Sequence, residues 1–188
     1  MTAKVPFEYP QSLEEYMVTE KEFLARNPQY TILCSGGAVF NDKDQLLLVQ
    51  RAKEELAFAN FWEIPGGKVD DTDETILHAV AREVKEETGL DVTRFVRKIG
   101  EFGWEEFSKR TQETAVWQKL IFEVEVKTFE IQLDPLEHQD YLFATEEEVA
   151  QDMAGQVTLR WITPINKELN LEAFKLRRQG NTTRAEAA

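Results

Sequence analysis

Residues 82–89 read REVKEETG, so three glutamates crowd the end of a run that Gly89 brings to a stop. On a helix Glu83, Glu86 and Glu87 are neighbours at spacings of three and four, and each like-charge pair disfavours an isolated helix by about 0.2–0.5 kcal/mol. The macrodipole adds to that cost, because carboxylates near a helix C-terminus face its free carbonyls. Upstream, Ile76, Leu77, Val80 and Val84 form one apolar stripe. Measured from Val80 at 100° per residue, Glu87 falls about 20° from the centre of the stripe, Glu83 about 60° and Glu86 about 120°. Asp71 and Glu74 have the spacing of an N-cap and its reciprocal acid, which predicts a helix start near Asp71 or Thr72. Carboxylates at a core boundary are expensive unless they are paired, protonated or bound to a cation. Arg82 and Lys85 are too few to neutralise three acids. A hard divalent cation, Mg²⁺ or Mn²⁺, suits a set of oxygen donors on adjacent turns. Just before this helix, Pro65-Gly66-Gly67 marks a turn where a ligand or ion can approach the main chain closely. Together these features describe a place where metal and polyphosphate meet.

The rest of the chain narrows what the site can serve. With 188 residues and 42% hydrophobic content, one globular domain with decoration at its ends is expected. A formal charge of -13 argues against duplex nucleic acid and anionic membrane surfaces as partners. A phosphate-bearing ligand must then be held through metal ions or a local basic pocket. The single cysteine, Cys34, excludes an internal disulfide and a cysteine-rich zinc site. The start MTAKVPFEYP has no apolar signal core, and no run approaches the roughly 18 apolar residues of a membrane span, so a cytoplasmic protein is expected.

Strand and helix signals alternate. Ser12 and Glu15 form a capping-box pattern for an N-terminal helix of about three turns that ends at Asn27-Pro28. TILCSGGAVF and QLLLVQRA read as a strand hairpin around the polar NDKD turn. From Val116 the alternation Val116, Gln118, Leu120, Phe122, Val124, Val126 predicts a half-buried strand. Thr145 with Glu148 caps a short helix, and Pro164 precedes a last one. The closing GNTTRAEAA lacks large apolar residues and reads as disordered. The class is α/β. The expected division is an N-terminal helical extension over 1–28, a main domain over 29–179 and a tail over 180–188.

The segment from Gly67 through Glu74 to R82-E83-V84-K85-E86-E87-T88-G89-L90, with WEIPGG before it, resembles the signature of the Nudix hydrolase family. From Glu74 onward every defined position of that signature matches. Six residues, where the family has five, separate Gly67 from Glu74. The resemblance implies an α/β/α sandwich with a mixed sheet, here with an extra N-terminal helix and a C-terminal helix. It implies cleavage of the diphosphate linkage of a nucleoside diphosphate joined to another group. By position, Glu83, Glu86 and Glu87 would bind Mg²⁺ or Mn²⁺ with the carbonyl of Gly66, and one of the glutamates, Glu83 or Glu86, would act as base. Arg82 would orient a glutamate through a charge-assisted hydrogen bond. Glu137, before His138, resembles a downstream glutamate that assists catalysis in many members.

Arg51, Trp62 and Glu63 are the expected substrate contacts, and the partner is a small diphosphate or nucleotide. Trp62, Trp104, Phe107 and Trp117 could each stack a base or simply pack in the core. His78 reads as exposed or structural, and Cys34 as a small core residue. Two other functions share the fold: a nucleotide-sensing module without turnover, and an isoprenoid diphosphate isomerase, which would want Cys34 as an active thiol. A helix outside the core also offers a homodimer contact.

Overall fold

The computed structural model describes residues 6–109 and 112–186, with side chains through Gly180. A 3-10 turn over Gln11–Tyr16 leads to α1 (Glu20–Arg26), β1 (Ile32–Val39), β2 (Leu46–Arg51), β3 (Trp62–Glu63) and α2 (Ile76–Thr88). There follow β4 (Val92–Ser108), β5 (Glu113–Val126), β6 (His138–Ala144), α3 (Glu146–Gln151), β7 (Met153–Ala154), β8 (Val157–Thr158) and α4 (Pro164–Glu186). Two compact units share these elements, Met1–Gly37 with Pro65–Gln132, and Ala38–Ile64 with Leu133–Ala188.

The first unit is built on a sheet ordered β1-β5-β4. β4 and β5 pair antiparallel through a long ladder from Val92↔Val126 to Ser108↔Glu113. β1 runs in the same direction as β5, since Thr31 N donates to Val116 O at one end and Gly37 sits against Val124 at the other. The sheet is therefore mixed. The half-buried strand expected from Val116 is buried on both faces from Gln118 to Val124, including Lys119 and Glu123. Glu123 Oε2 is ion-paired with Arg97 Nε at 2.9 Å, so a partnered charge replaces the solvent that alternation had implied.

Helix α2 lies on the face of β1 that carries Gly37. A Cβ there would stand 2.6 Å from Val84 and 3.3 Å from Val80 and Val124, so the missing side chain lets helix and sheet close up. The helix starts later than expected. Thr75 is its N-cap, accepting from His78 N at 3.3 Å. Residues 71–75 form turns and bends ahead of the helix, so Asp71 does not cap it. Gly89 ends the helix in the left-handed conformation, φ 74°.

The single N-terminal helix is broken in two. Thr19 and Glu22, not Ser12 and Glu15, make the reciprocal capping box, because Thr19 is extended and opens α1 after the 3-10 turn. Asn27 closes it.

In the second unit β2 pairs antiparallel with both β3 and β6. The expected hairpin exists only as its turn: Phe40↔Leu46 is a lone bridge, and the ladders of β1 and β2 run to other strands. Asn41 supplies the turn with side-chain bonds to the amides of Lys43 and Gln45. Thr145 and Glu148 form the expected capping box of α3. α4 continues through Glu186 into the tail read as disordered, because a nucleated helix extends at one hydrogen bond per residue. Ala187 and Ala188 lie outside the described residues. No described helix is long and apolar enough to cross a membrane.

Candidate active site

The site of the first unit begins at the glycine turn. Gly66 has φ 151°, and a Cβ on it would fall 2.3 Å from Ser35 O and 2.4 Å from Gly36 Cα, so only glycine permits this approach. Gly37 N donates to Pro65 O at 3.0 Å and Ser35 N to Gly67 O at 2.9 Å, which pins the turn to β1. The Gly66 carbonyl, between them, stands outside that ladder.

Two acids of α2 press against this turn. Glu87 Oε2 accepts from Gly66 N at 2.8 Å. The Glu83 carboxyl fills the space a Gly67 side chain would take, its Oε2 2.8 Å from the missing Cβ. Glu83 and Glu87 are 8% and 4% exposed, so both are carboxylates at the core boundary, as their angles on the helix require. Glu86 points outward, its side chain 58% exposed.

Arg82 ties the acids together. Its Nη1 donates to Glu83 Oε1 at 2.8 Å and to Glu86 Oε2 at 2.9 Å. Nε and Nη2 clasp Asp73 at 2.9 and 2.8 Å, and Nη2 also reaches Lys68 O at 3.1 Å. The Asp73 hydrogen bonds come first among the causes that raise the guanidinium pKa above its ordinary value, and they outweigh its burial. For Asp73 itself burial is the largest influence and pushes upward. The Arg82 hydrogen bonds, the Asp70 amide and the guanidinium charge together overcome it and hold the carboxyl below its ordinary range. At the end of the helix Lys85 Nζ donates to Gly89 O at 2.9 Å, so one cation does answer the free carbonyls.

The structure thus assembles Gly66, Arg82, Glu83, Glu86 and Glu87 within one unit. Glu74 stays out of this set, 71% exposed and 3.9 Å from His78 Nε2. His78 accompanies Thr75 at 2.8 Å and packs its ring on Phe7, the structural role expected of it. Asp73 was missed, because the cap pattern from Asp71 to Glu74 competed for the same stretch. Its spacing of nine from Arg82 carries no helical signal.

The other expected residues belong to the second unit. Arg51 donates to Glu63 Oε1 at 2.8 Å and to Glu55 Oε2 at 3.1 Å. His138 Nε2 lies 3.9 Å from Glu63 Oε1. Glu137 is exposed, and its carbonyl accepts from Ala52 N at 2.8 Å. Trp62 is 1% exposed, which corrects its role as a substrate contact: a stacking surface needs an open face, and Trp62 is core. Cys34 is buried, with burial first among the causes that push its thiol up to about 11.

The donor set fits a hard divalent cation. The donors this unit offers are oxygens, three carboxylates and an amide carbonyl, and two of the carboxylates are already stripped of most solvent.

A model of the NUDIX domain matches residues 33–162, more than half of the chain. The chain belongs to the Nudix family. Among curated proteins it is 40% identical over 68 residues to the 8-oxo-dGDP phosphatase NUDT18 of Danio rerio, a match covering 36% of this chain and 19% of that protein. Over 60 residues it is 37% identical to the 8-oxo-dGTP diphosphatase of Proteus vulgaris, covering 32% and 52%. The matched segment therefore spans about a fifth to a half of these relatives' length. Among solved structures, the MutT protein from Methanosarcina mazei Go1 superposes with a TM-score of 0.58 at 23% identity, covering 93% of this chain and 99% of that one. The E. coli ORF135 protein gives 0.58 at 25% identity, covering 81% and 94%. The Nudix fold follows from these matches.

Proposed function

We propose that this Nudix protein is a divalent-metal-dependent hydrolase that cleaves the diphosphate linkage of a nucleoside di- or triphosphate. The observation that carries the reading is the pair of buried glutamates, Glu83 and Glu87, seated on the Gly66-Gly67 turn with Arg82 bridging Glu83 to Glu86. Like charges this close are retained at a stability cost that a bound cation offsets. When bound, Mg²⁺ or Mn²⁺ would neutralise the diphosphate and acidify the water that attacks phosphorus.

The chain's own groups prepare that step. Gly66 N orients the Glu87 carboxylate, and Arg82 fixes Glu83 and Glu86 through charge-assisted bonds. Asp73 holds Arg82 in turn, so the acids are set by a second layer of ionic contacts rather than by their own rotamers. One glutamate at the outer end of the helix takes the proton of the attacking water. The names of the relatives, an 8-oxo-dGDP phosphatase and an 8-oxo-dGTP diphosphatase, support oxidised purine nucleotides as the first candidates. The isomerase reading loses support, since a buried thiol at about 11 offers no thiolate near neutral pH.

The test is a panel of 8-oxo-dGDP, 8-oxo-dGTP, dGTP, nucleotide sugars and isoprenoid diphosphates, each with Mg²⁺, Mn²⁺ or EDTA, followed by product analysis. Metal-dependent release of phosphate or pyrophosphate from a purine nucleotide is expected. Ligand binding without turnover across the panel would sink the hydrolase and favour the sensing module.

A further inference from the structure

The β4–β5 ladder carries an aromatic column that the reading above leaves unused. Trp104 faces Trp117 and Phe102 faces Lys119 across the ladder. Opposite residues, and residues two apart on a strand, share one face of a sheet, so these four side chains form one patch. Their rings are close to parallel: Trp104 and Trp117 lie 5.3 Å apart at 10°, and Phe102 and Trp104 lie 5.6 Å apart at 30°. Trp104 is 37% exposed, whereas Lys119 beside it is 7% exposed. A half-open column of rings above a buried ammonium is an unusual use of a strand pair whose outer part otherwise carries glutamates.

The patch is continuous with the glycine turn through the sheet. β1 neighbours β5, and Cys34 of β1 bridges to Lys68, the residue after Gly67. Lys119 and Lys68 both act electrostatically on Cys34, so both ammonium groups lie within charge-interaction range of it. From Lys68 to Phe102 the path crosses three strand spacings, about 14 Å at 4.8 Å each. A nucleoside diphosphate laid over this path would have its phosphates at the turn and its base at the rings. In a chain of charge -13, Lys68 and Lys119 are the local basic pair that such an anion needs.

We infer that Phe102, Trp104 and Trp117 form the base-stacking platform of this unit, with Lys119 donating to a carbonyl or ring nitrogen on the edge of a purine. This rests on the reading of the α2 glutamates as the diphosphate site, and it names what holds the other end of the substrate. A fourth flat ring extends the column, and a lysine, which only donates, favours the acceptor-rich edge of guanine.

The experiment compares GDP, as its uncleavable methylene-bridged analogue, with methylenediphosphonate in the role of pyrophosphate, each titrated by calorimetry with Mg²⁺ into wild type, Trp104→Ala and Phe102→Leu. The platform predicts that GDP binds each variant at least about tenfold more weakly than wild type, with pyrophosphate affinity within about twofold. Quenching of tryptophan fluorescence by GDP in wild type, reduced in Trp104→Ala, would report the stack directly. Equal GDP affinity in all three proteins, or parallel loss of GDP and pyrophosphate binding, would overturn the assignment, as would a wild type that does not bind GDP. Turnover is not part of this readout. Loss of hydrolysis alone therefore counts against the hydrolase reading and leaves the platform to the binding data.

Discussion

Arg82 divides its donors among Asp73, Glu83, Glu86 and the Lys68 carbonyl, so the charge balance of the acidic cluster depends on one guanidinium and on the residue that holds it. The Asp73 carboxyl is held below its ordinary value of 3.8. A group depressed in the folded state stabilises the fold above its unfolded pKa and loses that contribution as the pH falls through the folded value. Wild type should therefore lose melting temperature below about pH 4 more steeply than Asp73→Asn, with the gap between them closing in acid. Parallel melting curves from pH 6 to pH 2.5 would show that Asp73 does not act in this way. The sequence made Arg82, Glu83 and Glu86 legible together, because Glu86 stands four residues from Arg82 and three from Glu83, spacings that are contacts on any helix. It hid Asp73, whose link to Arg82 exists only once the loop after Gly67 has folded back.

At the scale of the element, α2 was legible through its apolar stripe and its glycine stop, but its contact with β1 was not. That contact depends on Gly37, which reads in the sequence as one more small residue in a strand. A Cβ at Gly37 would collide with Val84 at 2.6 Å, and valine methyls cannot swing away as a long side chain would. Gly37→Ala should destabilise the protein by about 1–3 kcal/mol in urea denaturation. Removing the clash partner should return part of that loss, so Gly37→Ala combined with Val84→Ala is expected to fall short of the sum of the single changes. Strict additivity would mean that helix and strand do not meet as described. β5 taught a related lesson. Alternation identified the strand, yet it could not show that Glu123 is buried, because the partner Arg97 lies on a strand with no clear alternation of its own. β4 itself escaped notice for that reason, its three register shifts between Val92 and Gly100 scrambling any period of two.

For the whole molecule, the sequence suggested contiguous segments, whereas the two units interleave, each taking pieces from both sides of the other in the chain. No local composition shift marks such a division, since the strands on either side are equally apolar. Net charge, by contrast, is a whole-chain property that the sequence states outright. At -13 the folded state works against its own repulsion, and the carboxylates of α2 concentrate part of that charge in one place. A cation that binds there only in the folded state stabilises by mass action as well as by screening. Mg²⁺ at millimolar concentration should raise the melting temperature beyond the effect of NaCl at equal ionic strength. Glu87→Gln keeps the shape and the bond to the Gly66 amide but removes a ligand charge, so the excess shift should shrink towards the NaCl value while the fold persists. If the Mg²⁺ excess survived unchanged in Glu87→Gln, the cation would be acting elsewhere on the acidic surface, and the buried glutamates would need another explanation for their charge.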